Sequence, residues 1–352
     1  MKKILVIAPS WVGDCMLIQP MLQRLMQRHS EAHIEILAPP WTAALLRQMP
    51  EVYKVIINPF PHGALKLAER FRLGRQLRSM DFEQAIVLPN SFKSALVPFF
   101  AGIPVRTGFV GEMRYGLLND VRKLDKKALP LMVERFGELA EAPNNAIQHV
   151  LSQPHLSVAE GQQENVLDKF GLNLRKPVAV FCPGAEYGPA KRWPIPYFAQ
   201  LAQYLRDFGY EVWLVGSPKD KEIGDKIIAL GNNACRNFCG ETELGDAIAL
   251  LSCADLVVSN DSGLMHIAAA LNRPMLALFG SSSPRFTPPL SAQAQVLKLD
   301  MKCSPCFKRN CPLGHFNCMN QMTPEQVVKF IPIAHHSKKN LAQPVQGSLQ
   351  GL

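Results

Sequence analysis

At 352 residues, 47% apolar and 19% charged, the chain is longer than one hydrophobic core usually organises, and two globular domains are expected. Lys and Arg outnumber Asp and Glu by 38 to 29, a net charge of +9 that suits a polyanionic or phosphorylated partner and equally an ordinary basic cytoplasmic protein. No stretch approaches the roughly 20 apolar residues of a membrane span, and Pro9, Gly13 and Asp14 break the first apolar run too early for a signal peptide, so a cytoplasmic protein is expected.

Short β-branched runs alternate with helical stretches along the chain. Lys3–Ala8, Ile34–Ala38, Lys54–Asn58 and Gln84–Pro89 read as buried parallel strands, with helices predicted over Met16–Arg28, Thr42–Met49 and Leu65–Met80. The first strand runs into Pro9-Ser10-Trp11-Val12-Gly13-Asp14, where a dinucleotide-binding turn would need three spaced glycines and only Gly13 is present. A nicotinamide-dependent dehydrogenase is the poorest fit. Asp14, at the mouth of this strand, suits either a helix cap or a catalytic acid–base role.

The alternation weakens over Glu141–Pro154 and a linker is expected near residues 155–177. Beyond it, Val178–Cys182, Glu211–Gly216, Leu256–Asn260 and Met275–Phe279 are predicted strands, with helices over Tyr197–Phe208, Lys221–Leu230, Asp246–Ser252 and Leu264–Leu271. Thr323 and Pro324 open a short helix reaching about Ile331, and the polar stretch after His335 reads as a disordered tail. The fold class is α/β with two doubly wound halves, and ligands are expected in a cleft at the carboxyl ends of the strands.

Two segments of the second half carry chemistry. Pro183-Gly184-Ala185-Glu186 is followed by Ala190-Lys191-Arg192-Trp193-Pro194, which places two cations and free N–H groups at a helix start, as a diphosphate site needs; the alternative is a solvated basic loop. Ser259-Asn260-Asp261-Ser262-Gly263-Leu264-Met265-His266 delivers a carboxylate and a hydroxyl from a buried strand to a helix N-terminus, with His266 one turn on from Ser262. Such a site suits a phosphorylated leaving group, though a capped helix with a satisfied histidine would look the same.

These segments together, in this order, resemble the ADP-heptose:lipopolysaccharide heptosyltransferases over roughly residues 1–330. Pro89-Asn90-Ser91-Phe92-Lys93-Ser94-Ala95 and Gly111-Glu112-Met113-Arg114-Tyr115-Gly116-Leu117-Leu118-Asn119-Asp120 resemble the branch that adds the second core heptose. The resemblance implies a GT-B fold of two Rossmann-like domains: an acceptor-binding one at 1–160 and a nucleotide-sugar-binding one at 161–322, then a helix at 323–334 and the tail at 335–352. It implies inverting transfer from ADP-L-glycero-D-manno-heptose to the first heptose of the lipopolysaccharide inner core, with no cofactor needed for catalysis. Asp14 matches the general base; an aspartate with its ordinary pKa of about 3.9 is a weak base, so proton transfer should accompany bond formation. Lys191 matches the catalytic residue that holds the diphosphate. Glu186, Arg192, Thr242, Asp261, Ser262, Gly263 and His266 are expected to contact the donor, with Lys191, His266 and the helix dipole neutralising the leaving group in place of a metal.

Ser10, Lys93, Arg106 and Arg114 are candidate acceptor contacts, the three cations meeting inner-core phosphates or serving as ordinary surface charge. Contact with the cytoplasmic face of the inner membrane is expected, and nucleic acid is not. A sugar-nucleotide epimerase, a first-heptose transferase or a sugar-binding module are the rival readings. The clustered Cys303, Cys306, Cys311 and Cys318, with His315 as an alternative ligand, could hold structural zinc, form a disulfide or pack reduced. Some members of the family lack these cysteines, so a metal there would not serve the shared chemistry.

Overall fold

The computed structural model describes residues 2–61, 63–143, 151–331 and 350–351. The chain forms two compact units, Met1–Pro154 with Arg285–Thr287, and His155–Pro284 with Pro288–Leu352. In the first unit β1 (Lys3–Ile7), β2 (His33–Ala38), β3 (Lys54–Ile57), β4 (Gln84–Val87), β5 (Val105–Phe109) and β6 (Asp120–Arg122) form a parallel sheet in the order β3-β2-β1-β4-β5-β6. Ile4 lies opposite Ile34 on one side and Gln84 on the other. β1 and β2 are buried along almost their whole length, because helices cover both faces of a parallel sheet and leave no polar side.

The second unit repeats the order. β7 (Val178–Cys182), β8 (Glu211–Leu214), β9 (Arg236–Asn237), β10 (Leu256–Asn260), β11 (Met275–Phe279) and β12 (Ala294–Lys298) run parallel as β12-β11-β10-β7-β8-β9. β13 (Gln350–Gly351) adds an antiparallel edge beside β12, Gly351 opposite Leu297. In each sheet the first and fourth strands of the unit are neighbours, β1 with β4 and β7 with β10. That is the topological switch point, where the loops leaving adjacent strands turn to opposite faces and open a crevice.

Several elements depart from the sequence reading. The helix predicted over Met16–Arg28 is two helices, Val12–Leu17 and Gln19–Arg28, meeting at Ile18. Pro20, second residue of the latter, has no N–H to continue the earlier helix. The expected linker at 155–177 contains a helix, Gln162–Phe170, on which only Val166 is buried. It is attached through polar side chains, Gln163 Nε2 donating to Ser252 Oγ at 2.9 Å and Lys169 to Asp246 at 2.7 Å. The units divide at Pro154 and His155, a few residues before the expected boundary at 160. The last predicted helix is present as Pro324–Val327 with a tighter turn over Val328–Phe330, opened by Thr323 N–H donating to Gln326 Oε1 at 3.0 Å. Residues 332–334 and nearly all of the predicted tail lie outside the described residues; the exception is the Gln350–Gly351 strand.

In the first unit the Leu67–Leu77 helix crosses the Leu96–Phe100 helix at Gly74, where a Cβ would stand 2.6 Å from Phe100 Cβ and 2.9 Å from the Val97 carbonyl oxygen. Gly74→Ala therefore forces the two helices apart. It should destabilise this unit by about 1–3 kcal/mol, read as a lower urea midpoint at unchanged m-value. An unchanged midpoint would show that the crossing relaxes freely.

Candidate functional site

In the first unit the loops after β1 and β4 leave adjacent strands at the carboxyl edge. Asp14 is the third residue of the Val12–Leu17 helix and is half-buried. Trp11, not Asp14, is the N-cap residue, so the cap reading of Asp14 in its usual form does not hold. Ser10 is half-buried, its carbonyl accepting the Trp41 indole N–H at 2.9 Å. Lys93 is half-buried on the turn Phe92–Ala95 that follows β4.

The other two proposed acceptor cations need correction. Arg106 lies at the amino end of β5, on the edge of the sheet opposite to Asp14. Its guanidinium donates to the carbonyls of Leu117 at 2.6 Å and Ile103 at 2.5 Å. Arg114 does follow β5 but is only 2% exposed. It donates to Phe109 O at 2.7 Å, Pro89 O at 2.5 Å, Ser94 Oγ at 3.1 Å and Asn90 Oδ1 at 3.0 Å. Burial lowers its pKa to about 10, so it stays charged at neutral pH, but its charge is directed into carbonyl oxygens that tie the β4 and β5 loops together. Glu112 closes the same junction, its Oε2 accepting the Phe92 N–H at 2.7 Å.

In the second unit the switch point is built around Asn260, fully buried at the end of β10. Its Nδ2 donates to Pro183 O at 2.8 Å and its Oδ1 accepts the Trp193 N–H at 3.0 Å, so one side chain holds both ends of the loop leaving β7. Trp193 is buried in turn, its indole N–H donating to Met322 O at 2.7 Å. Between these anchors the loop delivers Lys191, whose Nζ meets Asp261 Oδ2 at 2.6 Å. Asp261 is 5% exposed, and this ammonium compensates its buried charge.

Ser262 is the N-cap residue of the Gly263–Ala270 helix, its Oγ 3.3 Å from Ser259 Oγ. His266, on the first turns of that helix, is 6% exposed. Burial, and secondarily the charge of Lys191, push its pKa down to about 4, with Asp261 working the other way. The imidazole is therefore neutral at pH 7. The expectation that His266 adds positive charge is corrected: it can offer a hydrogen bond only.

Of the remaining predicted donor contacts, Arg192 is half-buried, with one terminal nitrogen donating to Ala185 O at 3.3 Å and a buried Nε that has no partner. Glu186 is exposed and paired with Lys219. Thr242 stands half-buried beyond the carboxyl end of β9, its Oγ1 3.4 Å from Phe238 O. Thus the fold brings Lys191, Asp261 and His266 together and leaves Glu186 and Thr242 on the flanks. Sequence reading overlooked Ser281 and Ser282, buried hydroxyls without partners just beyond β11, and the exposed indoles of Trp11 and Trp41 beyond β1 and β2. A Gly-Ser-Ser-Ser run and tryptophans directly after strand ends were the available signals.

The four clustered cysteines are half-buried free thiols, which removes the disulfide reading, and the five scattered ones are free as well. Among the described residues no three His, Cys, Asp or Glu side chains stand in the arrangement of a formed metal site. No helix among those residues is long and apolar enough to cross a membrane.

Residues 70–317 match the family model described as glycosyltransferase family 9 (heptosyltransferase). The chain belongs to glycosyltransferase family 9. It is 50% identical to the lipopolysaccharide heptosyltransferase 2 of Escherichia coli K12 over 336 residues, covering 93% of this chain and 97% of that one. It is 44% identical to the lipooligosaccharide heptosyltransferase 2 of Haemophilus influenzae over 338 residues, with the same coverages. The solved structure of the E. coli ADP-heptose lipopolysaccharide heptosyltransferase II superposes with a TM-score of 0.85 at 48% identity, covering 94% of this chain and 97% of that one. This transferase therefore has the GT-B architecture of two Rossmann-like units, and the epimerase and binding-module readings are set aside.

Two outcomes test the geometry. Lys191→Met leaves Asp261 as an unpaired buried carboxylate and should cost about 3 kcal/mol, the lower end for breaking a buried ion pair, read from urea unfolding; a loss near zero would mean that the pair is solvated. For His266, the unfolded imidazole takes up a proton near pH 6.5 while the folded one resists until about 4. Its contribution is complete above pH 6.5 and is lost as pH falls from there towards 4. Wild type should lose stability between pH 7 and pH 5, and His266→Gln should lose measurably less. Equal losses would refute burial of the neutral ring.

Proposed function

We infer that this family 9 transferase moves L-glycero-D-manno-heptose from ADP-heptose to the first heptose of the lipopolysaccharide inner core, the second heptose addition. The observation that carries the reading is the Lys191–Asp261 pair beside a neutral, buried His266 at a helix N-terminus, on the switch point of the second sheet. Full-length similarity at 50% and 44% to enzymes named for the second heptose supports second over first transfer. The Pseudomonas aeruginosa heptosyltransferase 1 is 29% identical over 78% of the chain.

The chemistry follows from the parts. The acceptor hydroxyl oxygen attacks the anomeric carbon as the bond to the ADP oxygen breaks, which inverts that carbon. Asp14 takes the hydroxyl proton in the same step. Charge develops on the departing diphosphate, where the Lys191 ammonium and the N–H groups opening the Gly263–Ala270 helix stabilise it. An ammonium carries three N–H donors, so Lys191 can keep Asp261 and still reach a phosphate oxygen. The buried pair thereby sets the direction of the lysine before the donor arrives. Asp261 is left to accept from sugar hydroxyls, and Arg192 Nε, already stripped of water, is a further donor. On the first unit Lys93, Ser10 and the indoles of Trp11 and Trp41 suit a phosphorylated sugar acceptor, aromatic faces packing on sugar rings. The lipid anchor of such an acceptor, with the net charge of +9, supports contact with an anionic membrane face.

ADP release is measured with ADP-heptose and acceptors carrying no, one or two heptoses. Turnover with the one-heptose acceptor alone is expected, and Asp14→Asn should lower kcat by about 10²–10⁴-fold while donor affinity holds. Turnover only with the heptose-free acceptor would make this the first transferase, and full activity of Asp14→Asn would remove Asp14 as the base.

A further inference from the structure

Residues 299–316, between β12 and the Asn317–Asn320 helix, carry no helix or strand. A segment this long without secondary structure inside a packed unit needs something else to hold its shape. The four clustered cysteines lie on it and on the helix that follows. Cys303, Cys306, Cys311 and Cys318 line one cavity of about 20 Å³, together with Ser281 and His315. That volume admits one water-sized sphere and no organic ligand. A water would want two to four good polar partners, and four sulfurs, each a weak acceptor or donor, are poor ones. Ser281 Oγ, on the same wall, is buried without a partner. The Gly314 N–H donates to the Cys311 carbonyl oxygen at 3.2 Å, a turn that carries Cys311 on the same wall.

His315 is the less suitable fourth donor. Its Nδ1 accepts the Asn317 N–H at 3.0 Å, so the ring proton sits on Nε2 and neither nitrogen is free to ligate without breaking that bond. The C-x₂-C pair followed by Cys311 and Cys318 supplies four thiolates, the donor set that selects zinc or iron in tetrahedral geometry.

We propose that Cys303, Cys306, Cys311 and Cys318 close around one divalent transition-metal ion, zinc in the first instance, and that this ion braces the loop carrying Lys191. The brace is visible in the contacts between the two segments. Arg309, between the second and third cysteines, accepts the Ala190 N–H on its carbonyl at 3.0 Å. That carbonyl approaches Gly188 so closely that a Cβ there would stand 2.5 Å from it. Phe307 O accepts the Tyr187 hydroxyl at 2.8 Å, and Phe307 N–H donates to Ser281 O at 2.7 Å. Tyr187 in turn has Lys191 Nζ 5.2 Å from its ring centre on one contact and the Arg309 guanidinium at 5.3 Å on another. Drawing the four sulfurs onto one ion stiffens Phe307–Asn310 and, through it, residues 187–191. The site is structural; it touches no reacting atom, and only its effect on donor affinity rests on the function proposed above.

Elemental analysis of the purified full chain tests the ion, and calorimetric titration with ADP tests the brace. About one equivalent of zinc or iron per chain is expected, falling well below that in Cys306→Ser and Cys318→Ser. In the metal-loaded wild type the four thiols should be shielded from a thiol reagent and become reactive on chelation. Less than a tenth of an equivalent of any transition metal in wild type, with all four thiols reactive, overturns the site whatever the fate of the variants. Chelated protein should bind ADP about 10-fold more weakly; unchanged ADP affinity after the metal has been removed overturns the brace. Metal content and thiol shielding are independent of heptosyl transfer, so they stand or fall separately from the assigned reaction.

Discussion

The second unit depends on one buried amide. Asn260 sits at the end of a central strand with no exposure, and its two hydrogen bonds, to Pro183 O and from Trp193 N–H, define where the loop leaving β7 starts and stops. Each such bond contributes only about 1 kcal/mol net, but leaving either buried partner unsatisfied costs about 1–3 kcal/mol, so the arrangement tolerates no alternative. Everything chemical follows from that constraint. Lys191, two residues before the Trp193 anchor, is thereby brought to Asp261, the residue after Asn260. Because this ammonium and carboxylate compensate one another beside it, His266 can be buried neutral.

The first unit solves the same topological problem with a cation in place of an amide. Its switch point is also flanked by loops from neighbouring parallel strands, and Arg114, inside the protein, collects carbonyl oxygens from the β4 and β5 loops. A guanidinium has five N–H donors in a fixed fork, which is why one arginine can gather so many backbone acceptors. At the same edge stand the half-buried Asp14 and Lys93 and the exposed rings of Trp11 and Trp41. The buried cation thus fastens the β4 and β5 loops and is not part of their surface.

The cysteine-bearing loop shows how a segment without regular structure can still pack against a strand-end loop. It fills the space beside the Lys191 loop with two carbonyls, that of Phe307 accepting the Tyr187 hydroxyl and that of Arg309 accepting the Ala190 N–H, and Gly188 permits the close approach of Arg309. The geometry of the Lys191 loop is therefore set partly by residues more than a hundred positions away.

The central strands were legible in the sequence because a parallel strand covered on both faces must be apolar throughout: Val178–Cys182, Leu256–Asn260 and Met275–Phe279 were read with their observed boundaries. The strands Val105–Phe109, Asp120–Arg122, Arg236–Asn237 and Ala294–Lys298 escaped, being short or interrupted by polar residues, with pairing supplied by their neighbours and not by their own pattern. The Gln162–Phe170 helix escaped for the same reason, since its attachment is largely polar. By itself the sequence determined the class of fold, the positions of the strand-end loops and the residue types that they carry, because those depend on local periodicity and turn chemistry. It could not decide which of those side chains face a ligand. Arg114 and Arg106 look like Lys93 in a sequence, and only tertiary packing shows that one is buried among carbonyls and another lies at the wrong edge of the sheet. The charge of His266 was likewise a tertiary matter: burial removed its water, and an imidazole without water or an excess of nearby negative charge does not hold a proton at neutral pH.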